Sequence, residues 1–339
     1  MKLLLLGFGT VGQGLAELLI KKESELRDKY GLKCQVIGIA DMLKGSILNN
    51  KGIDLKAALE KVKSGGQLTD LGEAFKGDAL AMVKAAKADM MAELTYTDIK
   101  TGEPATSHIK AALGKGMHVT TSNKGPVALH LNELRKLAKD KGVKFFYEGT
   151  VMSGTPLLNL ARETLAGSHI SEMKGILNGT TNYILTRMEE GMAYKDALKQ
   201  AQDLGYAEAV PDADVLGWDA LAKITILANA VFGANNKPAD FPCKGITEIT
   251  VDAINKAKAR GKRFKLIGRV WRDGDQVKGS VNPEEVDLSH PLAGIMGATN
   301  AMTITTDTLG DITIVGPGAG RTATGYSILI DIIAAGGSR

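Results

Sequence analysis

Residues 1–14 read MKLLLLGFGTVGQG. An apolar run, Lys2–Leu6, passes directly into Gly7, Gly9 and Gly12 in G-x-G-x-x-G spacing, and a helical pattern follows from Val11 to Leu19. Strand, glycine turn and helix in that order are the context a dinucleotide-binding turn needs. Gly7 permits the tight turn, Gly9 lets the backbone approach a pyrophosphate, and Gly12 lets the helix pack close to the strand. The helix start then faces the phosphates with N–H groups that have no partner inside the helix. Phe8, Thr10 and Val11 lie in the same turn and join the glycines as cofactor-binding candidates. The four leucines superficially resemble the core of a secretory signal, but glycines interrupt them at once, so they read as a buried strand.

Working outward, Gln35–Ala40 is an apolar second strand ending in Asp41. An acid at this strand end can bond both ribose hydroxyls and repels a 2′-phosphate, which favours NAD over NADP. Asp41 lies farther from the glycines than the usual roughly twenty residues, and the polar extension KKESELRDKYGLK accounts for the excess. The alternative role for Asp41 is a cap on the following loop, and Lys44 softens the cofactor preference. A further strand is expected at Ala88–Leu94, a helix at Ala105–Leu113, and another strand running to Asn123-Lys124-Gly125. Ligands of open parallel sheets sit at the carboxyl ends of strands, which puts Thr95 and Lys124 on the cofactor side. Lys124 there either holds substrate or nicotinamide carboxamide, or is an ordinary solvated lysine. Helix Leu129–Lys141 and strand Val143–Glu148 complete a doubly wound parallel unit.

Composition narrows the class. The chain has 339 residues, enough for two or three packed regions, with 44% hydrophobic and 24% charged residues. Its net charge of +4 is spread without a basic block, which argues against nucleic acid or anionic lipid as partner. Cys34 and Cys243 form no metal or redox pair and fit a reducing, cytoplasmic setting. No stretch approaches the roughly 18 apolar residues of a membrane span. The run Ile224–Phe232 is too short, and Asp331 interrupts the final apolar helix. The histidines His108, His118, His130, His169 and His290 show no metal-ligand or triad spacing.

The second half carries the chemistry. Glu148–Pro156, EGTVMSGTP, is a small-residue loop that either holds a hard cation through carbonyls or simply turns the chain into its next domain. GILNGTTN, residues 175–182, ends a strand in a polar turn suited to a carboxylate. Leu204–Lys223, LGYAEAVPDADVLGWDALAK, packs Glu208, Asp212, Asp214, Asp219 and Lys223 together. Asp219 and Lys223 stand at i and i+4, on one helix face, so a carboxylate and an amine can meet one small polar molecule. The plain alternative is a surface ion pair. Downstream, Val251–Gly261 is helical, Phe264–Trp271 and Gln276–Val281 form a hairpin, and strands follow at Ala301–Asp307 and Asp311–Val315. GPGAGRTATGYSILIDI is a glycine-rich turn into a last helix.

Taken in order, GFGTVGQG, ELTYTDIKTGEPA, HVTTSNKGP, YEGTVMSGTP, GILNGTTNYIL, LGYAEAVPDAD…GWDALAK, SHPL…TNA and GPGAGRTAT make the chain resemble the homoserine dehydrogenases over nearly its whole length. That resemblance implies interconversion of L-homoserine and L-aspartate 4-semialdehyde with NAD or NADP, on the route to threonine and methionine. It implies Lys223 as proton donor and acceptor, Asp219 as its partner, and Lys124 near nicotinamide and substrate. Glu208 would take the substrate ammonium, with Tyr206, Gly179, Thr180 and Asp214 lining the substrate pocket. Gly7–Gly12, Thr95 and Gly318 would contact the cofactor. Glu148, Val151, Ser153 and Thr155 would bind a monovalent cation such as Na+, largely through carbonyls.

The implied architecture is α/β: a Rossmann-type domain (1–148 and 316–339), a catalytic substrate region (149–263) and a strand-rich dimerisation region (264–315), within an α+β second domain. A homodimer is expected, as is a short form without aspartate kinase or ACT domain. One departure stands out, because Val210 occupies a position where the family commonly has an acid. It keeps open another small amino- or hydroxy-acid dehydrogenase, beside a non-catalytic NAD(P)H-binding sensor.

Overall fold

The computed structural model describes residues 1–337 and divides into two compact units, residues 1–154 with the segment from Gly320 onward, and Thr155–Ala319. Ser338 and Arg339, the end of the 316–339 segment, lie outside the described residues.

Unit one is a six-stranded sheet of β1 (Lys2–Leu6), β2 (Gln35–Asp41), β3 (Gly45–Leu48), β4 (Met90–Glu93), β5 (His118–Thr121) and β6 (Phe145–Phe146). Its order is β3-β2-β1-β4-β5-β6. All pairs are parallel except β2 with β3. The chain leaves β1 toward β2 and later returns to β4 on the other side, so the strand order reverses between β1 and β4. A crevice at such a reversal is where doubly wound sheets bind ligands. β1 is buried from Leu3 to Leu6, as its leucine run requires of a central parallel strand. The last helix, Arg321–Gly336, contributes Ile328, Leu329, Ile332 and Ile333 to the same core as Leu3, Leu5 and Leu15. Asp331 interrupts that apolar face without breaking the helix, because its buried carboxylate accepts the Thr120 hydroxyl at 2.7 Å.

Element ends differ from the sequence reading for local reasons. β4 starts at Met90, since Asp89 stands at the sheet end and takes the Lys2 N–H at 2.6 Å. β6 spans two residues instead of the expected Val143–Glu148, and a tight helical turn, Glu148–Thr150, opens the loop that follows. The helix expected from Leu129 begins at Lys124: Asn123 caps it through the Gly125 N–H, and the break at His130 (φ −132°) hides the first turn from the periodicity.

Unit two holds an antiparallel sheet of β7 (Ile170–Ile176), β8 (Lys262–Asp273), β9 (Gln276–Asp287), β10 (Thr299–Thr306) and β11 (Gly310–Pro317), in the order β11-β10-β7-β8-β9. The hairpin expected around Arg272–Asp275 is present with longer strands and a two-residue turn, Gly274-Asp275. β7 lies in the middle, so the stretches 149–263 and 264–315 share one sheet. Helices Gly179–Glu189 and Trp218–Ala230 pack against it. The first of these was read from sequence as a turn, and its Asn178 cap is what makes it a helix.

Candidate active site

In unit two the geometry starts from Asn178. Its Oδ1 accepts the Thr181 N–H at 2.8 Å and the Thr181 hydroxyl at 3.0 Å, which fixes the amide. The amide nitrogen then donates to Asp214 Oδ1 at 2.6 Å and Asp219 Oδ2 at 3.0 Å. Asp219 lies in the first turn of its helix, where the helix dipole favours a carboxylate. One turn later Lys223 reaches back, with Nζ donating to Asp219 Oδ2 at 2.7 Å and to the Leu177 carbonyl at 2.6 Å. Lys223 is only 7% exposed, so this is no surface ion pair. An ammonium has three donors, and these two acceptors engage two of them.

The Leu177 carbonyl also accepts the Asn300 amide at 2.9 Å. Asn300 Oδ1 is buried without a hydrogen-bond partner among the described residues. Gly318 packs flat on that amide, where a Cβ would stand 2.1 Å from Asn300 Nδ2. Gly179 is equally constrained, since a Cβ would fall 2.6 Å from the Ala298 carbonyl. The Thr180 hydroxyl donates to the Tyr206 carbonyl at 2.6 Å, and the Tyr206 ring lies 5.1 Å from that of Tyr183. Thus the structure brings Asp214, Asp219 and Lys223 together, and ties Thr180 to Tyr206. Glu208 is exposed, and its carbonyl accepts from Gln202. Val210, the departure noted above, is 74% exposed on the same loop.

In unit one the glycine turn is close-packed on one side and open on the other. Gly7 has φ +96°, and a Cβ there would stand 2.5 Å from the Leu94 carbonyl. A Cβ on Gly12 would meet the Gly7 carbonyl at 2.5 Å, whereas none within 4 Å faces Gly9. Thr10 is exposed and Val11 half-buried at the helix start. Phe8 turns inward: its ring is in the core, its N–H bonds Asp41 Oδ2 at 2.7 Å, and its carbonyl takes Gln13 Nε2. Asp41, the last residue of β2, also accepts the N–H groups of Leu43 and Lys44 at 3.0 Å each. It therefore does cap the following loop, while its strand-end position is the one a ribose acid needs.

Thr95 donates its N–H at 2.9 Å and its hydroxyl to Glu93 Oε1. Asn123 donates to the Tyr96 carbonyl at 2.8 Å and caps the helix that Lys124 opens. Farther along, Glu148, Val151 and Ser153 are buried. Met152 and Ser153 have φ values of 57° and 53°, left-handed conformations that cost on the order of 1–3 kcal/mol each. The Ser153 hydroxyl lies 2.6 Å from that of Thr324, which clasps this loop to the last helix. Thr155, the first residue of unit two, bonds the Pro317 carbonyl at 3.1 Å. Among the described residues no group of three or more His, Cys, Asp or Glu side chains forms a metal site.

Sequence reading missed Glu93, Asn178 and Asn300. An acid closing an apolar strand, as Glu93 does in MMAE, was a usable signal, and so was an Asn before GTT as a helix cap. Asn300 carried no local signal, because its partners come from Leu177 and Gly318.

Known proteins resemble this chain over nearly its whole length. Residues 7–148 match the NAD-binding domain model of homoserine dehydrogenase, and residues 156–333 match the homoserine dehydrogenase model itself. The NAD(+)-dependent homoserine dehydrogenase of Pseudomonas canavaninivorans is 45% identical, over 98% of this chain and 95% of its own. The Methanocaldococcus jannaschii homoserine dehydrogenase is 40% identical over 98% of both chains. A solved hyperthermophilic archaeal homoserine dehydrogenase in complex with NADPH superimposes with a TM-score of 0.85 at 33% identity, covering 98% of this chain and 97% of its own. The chain belongs to the homoserine dehydrogenase family, NAD(P)-dependent oxidoreductases acting on a hydroxyl group.

Proposed function

We propose that this protein interconverts L-homoserine and L-aspartate 4-semialdehyde, with Lys223 as the acid–base group. The observation that carries this reading is the buried Lys223–Asp219 pair, held at 2.7 Å and steadied by Asn178. A dinucleotide fits the residues present: Gly9 leaves open space beside a turn that Gly7 and Gly12 keep tight, and Asp41 closes the neighbouring strand. NAD(P), when bound, supplies hydride exchange at its nicotinamide. In the reducing direction Lys223 gives its third proton to the carbonyl oxygen as negative charge develops there. In the oxidising direction the amine takes that proton back. Asp219 holds the amine in line, and Glu208 on its exposed loop takes the substrate ammonium. The N-terminus of helix Gly179–Glu189, with Thr180, receives the substrate carboxylate.

Asp41 supports NAD as the preferred dinucleotide by repelling a 2′-phosphate. The strained loop at Glu148, Val151 and Ser153, with Thr155, supports a monovalent cation held by carbonyls. The assignment of 1–148 and 316–339 to cofactor, 149–263 to substrate and 264–315 to homodimer formation goes with the same reading. No described helix is long and apolar enough to cross a membrane. A cytoplasmic setting is favoured by Cys34 and Cys243, both free, with thiols that burial pushes up to about 11.

Homoserine oxidation measured with NAD and NADP in turn, against serine, threonine and malate, tests the substrate and cofactor. Lys223→Ala should lower kcat/KM for aspartate-semialdehyde reduction by far more than about tenfold, some 1.4 kcal/mol; a smaller loss overturns the role. A monomer by size-exclusion with light scattering overturns the dimer.

A further inference from the structure

Glu93 ends β4 with no solvent exposure. Its backbone is paired with Leu6, the residue before the glycine turn. A carboxylate so placed persists only where its oxygens are bonded. Oε1 accepts the Thr95 N–H and hydroxyl, and Oε2 lies 2.8 Å from His108 Nδ1. With Glu93 ionised, Nδ1 is the ring nitrogen that carries hydrogen and donates. His108 is only 5% exposed, on helix Ala105–Gly114. The network continues on the other side of β4. The Thr121 hydroxyl donates to the Glu93 carbonyl at 2.8 Å and accepts the Asn123 N–H at 2.9 Å. Asn123 in turn holds the Tyr96 carbonyl and caps the helix that starts at Lys124.

We infer that His108 and Glu93 are a positioning couple for the dinucleotide site, setting the turn Thr95–Tyr96 and, with Asn123, the start of the Lys124 helix. This rests on the reading that Thr95 and Lys124 face the cofactor. An apolar pair of similar volume would hold helix to sheet without the desolvation cost of a buried carboxylate. What the polar pair adds is direction. The imidazole on Oε2 fixes the Glu93 rotamer, and Oε1 then fixes the strand-end turn through the Thr95 N–H and hydroxyl.

The test uses the full chain and NADH titrated calorimetrically, with thermal melts alongside. Lys124→Met should weaken NADH binding; if its Kd is unchanged, the reading of the site fails and the inference with it. His108→Leu should raise the NADH Kd by about tenfold or more, equivalent to 1.4 kcal/mol. His108→Asn, whose amide nitrogen stands where Nδ1 does, should restore it. If Lys124→Met weakens binding while a folded His108→Leu binds like wild type, the inference alone is overturned. A loss that persists in His108→Asn overturns it as well. A purely structural role would lower the melting temperature of His108→Leu and leave Kd unchanged. Should His108→Leu not fold, His108→Phe, which keeps a ring but has no nitrogen to meet Glu93 Oε2, carries the same expectation for Kd.

Discussion

Asn178 does three things with one side chain. It caps a helix, holds Asp214 and holds Asp219. Asn178→Ala should therefore cost about 1 kcal/mol of stability through the lost cap, read from a denaturant melt. It should also lower kcat/KM by at least about tenfold, because Asp219 loses a donor and its orientation beside Lys223. Asn178→Ser keeps a capping hydroxyl but cannot reach both acids. It should recover the stability and not the rate, and equal recovery of both would argue against a role in holding the acids. The i,i+4 spacing of Asp219 and Lys223 was visible in sequence. Their burial was not, because it depends on Leu177 and Asn178 arriving from the end of β7.

Helix packing in unit one turns on two glycines. A Cβ on Gly14 would meet the Arg321 carbonyl at 2.1 Å, and one on Gly325 would meet Gly14 at 2.7 Å. Helices Thr10–Lys21 and Arg321–Gly336 thus cross at backbone contact, and the helix start beside the glycine turn is set by that crossing. Gly325→Val should overpack the crossing, lower stability by about 1–3 kcal/mol and weaken dinucleotide binding. A melt and a binding titration together check this; a destabilised variant with native affinity would separate the crossing from the site. The fingerprint Gly7-x-Gly9-x-x-Gly12 announced its turn locally. Gly14 lies two residues beyond it and carried no such signal, since its partner is more than 300 residues away in the chain.

At the scale of the molecule, the buried Lys265 makes stability depend on pH. Its Nζ donates to Asn182 Oδ1 at 3.0 Å and to the Ile295 carbonyl, with no carboxylate bonded to it among the described residues. Burial pulls its pKa from 10.5 down to about 8; Glu189 acts against that shift and Arg263 with it. Below pH 8 the lysine is charged folded and unfolded, so the full desolvation cost is present. As pH rises past about 8 the folded form releases its proton while the unfolded chain stays charged up to about 10.5. The unfolded state then binds more protons, and stability rises across that window by an amount on the order of 3 kcal/mol. Lys265→Met should flatten this rise in melts between pH 7.5 and 10 buffers; an unchanged slope would assign it to other groups.

The sequence by itself determined the nucleotide-binding fold and the spacing of the candidate site residues. Leu3–Leu6 must be buried, three glycines must turn, and Asp219 must share a helix face with Lys223, all from short-range spacing. Only the tertiary structure decided which polar side chains hold these in place. Glu93 with His108, Asn178 with Asp214 and Asp219, and Asn300 with Leu177 each pair residues from separate elements. A hydrogen bond needs its partners within about 3 Å, a distance that local propensity does not encode and packing alone supplies.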